Sequence, residues 1–207
     1  MIETEHESRT KLLNAAVSVI RAKGYAAARV DDICAAAGLT KGSFFHHFAS
    51  KEELTLAAAE RWGMTTGDLF AAAAYHQLPD PLDRVLAYVD FRKALIHGAA
   101  REFTCFAGTT GQEVHETHPV IRDACGGTIS GHAATLEADI AAAIRQYGAA
   151  GNFTAQGLAL HTQAVIQGAF VLAKATQDPA IATASLDHLR RYLELLFRSP
   201  QPKENTP

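Results

Sequence analysis

The chain has 207 residues, 48% of them hydrophobic, and 22 acidic against 19 basic residues give a net charge of −3. That length accommodates one small and one medium domain with substantial cores, while the charge by itself gives no sign of a nucleic-acid partner. No apolar run approaches the ~20 residues that span a bilayer, which excludes a membrane partner, and the opening MIETEHESRTK is polar and acidic rather than a signal sequence, so the protein is expected in the cytoplasm. Abundant alanine and scarce β-branched alternation predict helices throughout, with no phosphate loop, repeat or low-complexity tract before the polar tail after Ser199. The first helix is expected from a Ser8 cap, with Leu12, Leu13, Ala16, Val17 and Ile20 on one stripe and Gly24 ending it before Tyr25.

The stretch VDDICAAAGLTKGSFFHHFASKEEL, from Val30 to Leu54, reads as a helix-turn-helix followed by a capped helix. Asp31 and Asp32 lie in the first turn of a short helix through Ile33 and Ala35 to Ala37, where the macrodipole favours anions, and Gly38 ends it. Leu39 plugs the angle between helices. Thr40 is the N-cap of a second helix through Lys41, Gly42, Ser43, Phe44, Phe45, His46, His47 and Phe48, the one expected in the major groove. Ser50 and Glu53 form a capping box that starts the next helix. Lys51 at that start opposes the helix dipole, which points to a task such as meeting a phosphate. Residues 1–50 carry six Lys and Arg against five Asp and Glu, or +1, leaving −4 elsewhere: a weak contrast of the expected sign.

The segment GLTKGSFFHHFASKEEL resembles the signature of the TetR family of transcriptional regulators, close to G-(V/L)-(S/T)-K-G-(S/T)-(L/F)-Y-x-(H/Y)-F-x-(S/N)-K-E-x-L. The resemblance implies a two-domain, all-helical, dimeric regulator, most often a repressor. It implies DNA contacts from Thr40, Lys41, Ser43 and His47, close approach at Gly42, a phosphate for Lys51, and packing roles for Phe44 and Phe48. Phe45 stands where the family has tyrosine, removing a phenol hydroxyl, and Ala28 and Arg29 replace a common Thr-Thr pair, Arg29 offering a charge-assisted contact instead. With the neighbouring His46, the expected DNA-binding set is Arg29, Thr40, Lys41, Gly42, Ser43, Phe45, His46, His47 and Lys51.

Beyond this motif the pattern gives about nine helices in all. The helix from Ser50 is expected to reach about Tyr75; Pro79 and Pro81 mark a boundary and start a fifth helix through Leu86, Val89 and Leu95. A broken region around Gly98, Gly108 and Gly111 follows, then a long helix from Thr117, His118 and Pro119 towards Tyr147. The last two helices, from Thr154 to about Thr176 and beyond Pro179, are apolar on more than one side. This predicts a four-helix homodimer interface at Leu158, Val165, Gly168, Leu172, Leu186, Leu189, Leu193 and Leu196, pairing two heads for half-sites ~34 Å apart, with intramolecular core on both faces as the competing reading. The fold class expected is all-α: a helix-turn-helix domain over 1–50, a helical effector-binding and dimerisation domain over 51–198 and a flexible tail over 199–207.

Tyr88, Phe91, Phe103, Cys105, Phe106, His115, Gln163, Gln167 and Phe170 are the candidates for an effector pocket, aromatic walls with a few polar groups, although any core of this size has the same composition. Cys34 reads as small core filler, Cys125 as core or helix surface. The placement of Cys105 resembles a subgroup of the family in which a cysteine senses electrophiles or oxidants, with Lys174 as a partner that would lower the thiol pKa. Buried and inert is the competing reading of Cys105. The cluster Glu113, His115, Glu116 and His118 offers a His-x-x-His pair without strong third and fourth ligands in a recognised spacing, so no metal or cofactor is expected. No nucleophile elbow, phosphate loop or metalloprotease signature supports an enzyme. The function read is a DNA-binding regulator released from double-stranded operator DNA by a small-molecule or electrophile effector. The alternative is an architectural or interaction protein that binds DNA without an effector. In the family it resembles, the effector tilts the helix beginning at Ser50 and changes the spacing of the two recognition helices.

Overall fold

A computed structural model describes residues 2–149 and 151–198 and contains helices α1 (Ile2–Lys23), α2 (Val30–Ala37), α3 (Lys41–His47), α4 (Lys51–Ala71), α5 (Pro81–Ala94), α6 (Ala100–Phe103), α7 (Phe106–Val114), α8 (Pro119–Ala134), α9 (Glu137–Tyr147), α10 (Ala155–Thr176) and α11 (Pro179–Arg198), with a 3-10 turn at Ala74–Gln77. The expected tail over 199–207 lies outside the described residues. Among the described residues there is no strand, and no helix is long and apolar enough to cross a membrane.

The all-α class expected from composition holds, but Gly108 and Gly111, expected in a broken region, lie within α7, and three helix boundaries differ. Ser8 does not cap α1, which begins at Ile2; the serine lies within the helix and its hydroxyl meets His47 Nε2 at 2.6 Å. α4 ends at Ala71 rather than near Tyr75. The long helix expected from Pro119 to Tyr147 is two. At the break Thr135 N–H and Leu136 N–H donate to His132 O and Ala133 O, three residues back, and Thr135 Oγ1 donates to His132 O at 2.8 Å. Tightening to the three-residue pattern ends α8.

The chain forms two compact units, residues 1–70 with 104–129, and residues 71–103 with 130–207. The helix-turn-helix expected over 1–50 therefore lies inside a larger first unit that also takes α4 up to Phe70, α7 and most of α8. Its core joins Leu12, Ala16 and Ile20 of α1, Ile33 and Cys34 of α2 and Phe44 of α3 to Leu54 and Ala58 of α4, Phe106 and Val114 of α7, and Ile121 and Cys125 of α8. Burial on this scale, at about 1.5–3 kcal/mol per large apolar side chain, outweighs the weak intrinsic stability of a helix as short as α3.

In the second unit α11 packs on α10 and α5, and α9 on α5 and α10. Asp80 caps α5 by accepting from Leu82 N–H and Asp83 N–H, with Pro81 at the first helical position. Arg84 Nε donates to Asp139 Oδ1 at 2.7 Å, tying α5 to α9. Four residues expected at a dimer interface belong instead to this core: Leu158 is 3% exposed, Leu189 2%, and Leu186 and Leu193 0%. Their apolar area is already covered within the unit. The two-sided apolar character of α10 and α11 is real, but the open side is the other one.

Candidate functional site

The helix-turn-helix is built by local signals that each find a partner. Gly38 takes φ +66° after α2 and donates to Cys34 O and Ala35 O, while Leu39 N–H donates to Cys34 O at 2.9 Å. Thr40 Oγ1 then accepts from Ser43 N–H at 3.1 Å and starts α3. Ser50 Oγ accepts from Glu53 N–H at 3.1 Å, and Glu53 Oε2 accepts from Ala49 N–H at 2.7 Å, closing the capping box one residue earlier than its usual form.

The side chains expected at DNA fall into two groups. Arg29, Thr40, Lys41, Gly42, Phe45 and His46 are solvent-exposed, with Phe45, a large apolar ring, 59% exposed beside Phe44. Ser43 is half-buried through its backbone cap to Thr40, and His47 is half-buried with its ring on Ser8. Lys41 Nζ lies 2.8 Å from Asp31 Oδ1 in an exposed ion pair.

Lys51 departs from its expected phosphate role. Its ammonium donates to Tyr25 O at 2.8 Å and Ala28 O at 3.1 Å and sits 4.2 Å from the centre of the Tyr25 ring. Burial lowers its pKa, with the Glu113 charge acting in the opposite direction. A lysine held this way braces the turn between α1 and α2, and its donors are already engaged inside the head.

The same turn is held from another side by a residue that the sequence reading had not singled out for it. Glu113 accepts from Tyr25 N–H at 2.5 Å and from Ala26 N–H at 2.8 Å, and His118 packs edge-on against the Tyr25 ring at 4.8 Å. His118 is thus a packing group at the start of α8, and among the described residues no cluster suited to a metal ion occurs. The cue available in the sequence was Gly24, whose φ of +86° favours glycine and which leaves the Glu113 carboxylate 2.7 Å from where a Cβ would stand.

The effector-pocket candidates divide between the units. Tyr88, Phe91, Phe103, Gln163, Gln167 and Phe170 lie in the second, while Cys105, Phe106 and His115 lie in the first. His115 is corrected: its side chain is 63% exposed and its Nδ1 pairs with Gln112 O, so it lines no interior. Phe106 is core, packed 6.3 Å from Trp62. Cys105 caps α7, its Sγ accepting from Gly108 N–H at 3.3 Å, and is half-buried; Cys34 and Cys125 are buried, burial pushing the Cys125 thiol up to about 11.

In the second unit Gln163 Nε2 donates to the Tyr88 hydroxyl at 2.6 Å, and that hydroxyl lies 3.0 Å from His132 Nε2. Burial and, next, the Arg92 charge push His132 down to about 4, so the ring is neutral at pH 7. Tyr75 and Phe91 flank this group, Tyr75 packing edge-on to Tyr88, and Arg92 stands 5.3 Å from the centre of the Phe170 ring, which meets Phe103. His132, Arg92 and Tyr75 were missing from the sequence-derived set.

On its outer side the second unit exposes Leu160 (46%), Val171 (45%) and Leu172 (51%) of α10 with Tyr192 (41%) and Leu195 (59%) of α11. Gly157, Ala164 and Gly168 lie open on the same stripe, and the His161 and Tyr192 rings bridge the two helices at 5.4 Å.

Residues 12–58 match the family model described as bacterial regulatory proteins, tetR family, and residues 81–189 match the tetracyclin repressor-like C-terminal domain. The chain is 47% identical over 58 residues to the HTH-type transcriptional regulator CymR of Pseudomonas putida, covering 28% of this chain and 29% of CymR. It is 31% identical over 105 residues to the transcriptional regulator AcuR of Cereibacter sphaeroides, covering 50% of this chain and 47% of AcuR. These matches span less than half the length of either curated relative. The crystal structure of a TetR-family regulator from Agrobacterium tumefaciens superposes with a TM-score of 0.81 at 22% identity, covering 93% of this chain and 99% of that one.

Proposed function

The chain belongs to the TetR family of transcriptional regulators, and from that premise we propose that it is a homodimeric repressor that leaves its operator when a small-molecule or thiol-reactive effector engages the protein. The DNA-binding part of this reading rests on the open face of α3, where Lys41, Gly42, Phe45 and His46 are all solvent-exposed. A phenylalanine left 59% exposed on a seven-residue helix contributes little to the fold. Set against a major groove, it has thymine methyl groups to meet. Arg29, Thr40, Ser43 and His47 complete the proposed contact set, while Lys51 acts by bracing the α1–α2 turn.

The dimer is proposed on the exposed stripe of α10 and α11. Gly168 and Leu172 remain from the eight residues first expected there, with Val165 and Leu196 half-buried at its margin; Leu160, Val171, Tyr192 and Leu195 are added. Small residues at 157, 164 and 168 let two helices approach closely, and a second copy covers the apolar area by an isologous contact. The effector is proposed to bind near Tyr88, Gln163 and Phe170, or at the Cys105 thiol. It shifts the population towards a state that binds operator poorly, which takes a differential affinity of a few kcal/mol.

The test is selection of a preferred duplex from a randomised library, followed by affinity measurements across a salt series. A palindromic site should be enriched, and Lys41→Ala should weaken binding and flatten the salt slope by about 0.9 per half-site. Failure to enrich any site, or an unchanged slope, counts against the assigned contacts. Repeating the assay with a thiol oxidant on wild type and Cys105→Ser separates the two effector classes: release lost only in the variant makes Cys105 the sensor.

A further inference from the structure

We propose that Glu113 is a positioning residue for DNA recognition: from α7, outside the helix-turn-helix, it sets the geometry of the α1–α2 turn on which the reading head depends. The proposal rests on the DNA-binding reading above. The turn from Gly24 to Ala28 is the hinge between α1 and α2, and its own sequence, Gly-Tyr-Ala-Ala-Ala, has no polar side chain beyond the Tyr25 hydroxyl with which to fix itself. Gly24 N–H bonds Ile20 O and Ala28 N–H bonds Gly24 O within the backbone, and four of the remaining polar groups are taken up by side chains from elsewhere. Glu113 accepts from two successive amides, Tyr25 N–H at 2.5 Å and Ala26 N–H at 2.8 Å. Lys51 donates to two carbonyls of the same turn, Tyr25 O and Ala28 O. Anion on the amides and cation on the carbonyls grip one peptide segment from opposite electrical ends, each by charge-assisted hydrogen bonds.

Two further observations make this a fitted joint. Gly24 leaves room for the carboxylate, since a Cβ there would stand 2.7 Å from Glu113 Oε2. The Tyr25 ring is held between the Lys51 ammonium at 4.2 Å and the His118 ring at 4.8 Å. α2 begins at Val30, two residues beyond Ala28, and packs on α3, so the direction of this turn governs where the recognition helix points. Glu113 itself is solvent-exposed, which separates its role from core packing and makes the contact one that can be made and broken.

The experiment uses the full-length protein with Glu113→Ala and Glu113→Gln, the duplex enriched by wild type, and amide hydrogen exchange read at Tyr25 and Ala26. Glu113→Ala should accelerate exchange at both amides by about ten- to a hundredfold. Glu113→Gln, which keeps one acceptor oxygen, should do so by less. Duplex affinity should fall about five- to a hundredfold with the salt slope unchanged, because no phosphate contact is lost. Unaltered affinity in both variants, unaltered exchange at both amides, or a flattened slope would overturn the proposal. A wild type that enriches no duplex removes the DNA reading and this proposal together, whereas a wild type and Glu113→Ala that bind equally remove this proposal alone.

Discussion

Lowering the pH should destabilise the second unit through His132, beginning above the range in which carboxylates titrate. The ring is neutral in the folded protein because burial, and then the Arg92 charge, push its pKa down to about 4, against 6.5 as the unperturbed value. In the unfolded chain it takes a proton as the pH falls through 6.5; in the folded protein it does so only near 4. Stability is therefore complete above the unfolded value and is lost as the pH falls towards the folded one. A gap of about 2.5 units corresponds to roughly 3 kcal/mol, most of it already gone at about pH 4.5, with a steepest slope near 1.4 kcal/mol per pH unit. Urea unfolding of wild type and His132→Asn between neutral and mildly acid pH isolates the effect: on acidification wild type should lose stability relative to the variant. Parallel curves, or an NMR titration of the His132 ring with a midpoint near 6.5, would refute the reasoning.

Asp31→Asn should tighten binding to the selected duplex roughly two- to fivefold at low salt, because it removes an anion from the reading face and frees Lys41, now paired with it at 2.8 Å, for phosphate; equal affinities by fluorescence anisotropy would count against Lys41 as a contact. Leu193 and Leu195, two positions apart on α11, should behave in opposite ways. Leu195→Asp, at a site 59% exposed, should convert the proposed dimer to folded monomer in sedimentation velocity, whereas Leu193→Ala, at a site 0% exposed, should lower thermal stability by about 2–5 kcal/mol in any oligomeric state. A Leu195→Asp protein that stays dimeric would move the interface elsewhere.

The local signals were legible in the sequence because each is satisfied within a few residues. Gly38, Thr40 and the Ser50–Glu53 box carry their partners with them, and the structure finds all three in use. The faces of α10 and α11 were legible only as a pair of apolar sides. Leucine at 193 and leucine at 195 look alike until the packing of α11 on α10 and α5 decides which is inside. Lys51 misled for a related reason. A cation at a helix start does oppose the dipole, but the carbonyls that compensate it come from Tyr25 and Ala28, at a sequence separation that no motif encodes. The roles of Glu113 and His132 were not legible, since their partners Tyr25 and Tyr88 lie 88 and 44 residues away, and Gly24 alone marked the first of these contacts.

Most cations of the head are already occupied. Lys11 pairs with Glu7, Lys23 with Asp32 and Lys41 with Asp31, while Arg9 and Arg21 lie over the rings of Phe48 and Trp62. A cation that must leave a partner to reach phosphate contributes less to binding of arbitrary DNA than a bare one, because the broken ion pair offsets part of the released-counterion gain. On the proposed contact set nonspecific affinity is thereby held down, and the balance shifts to contacts proposed for a matching site: the exposed Phe45 ring with Thr40, Ser43 and His47. A nearly neutral head fits a regulator whose task is to ignore most of the DNA it meets, and this is why bulk charge gave no sign of DNA while the order of residues from Val30 to Leu54 did.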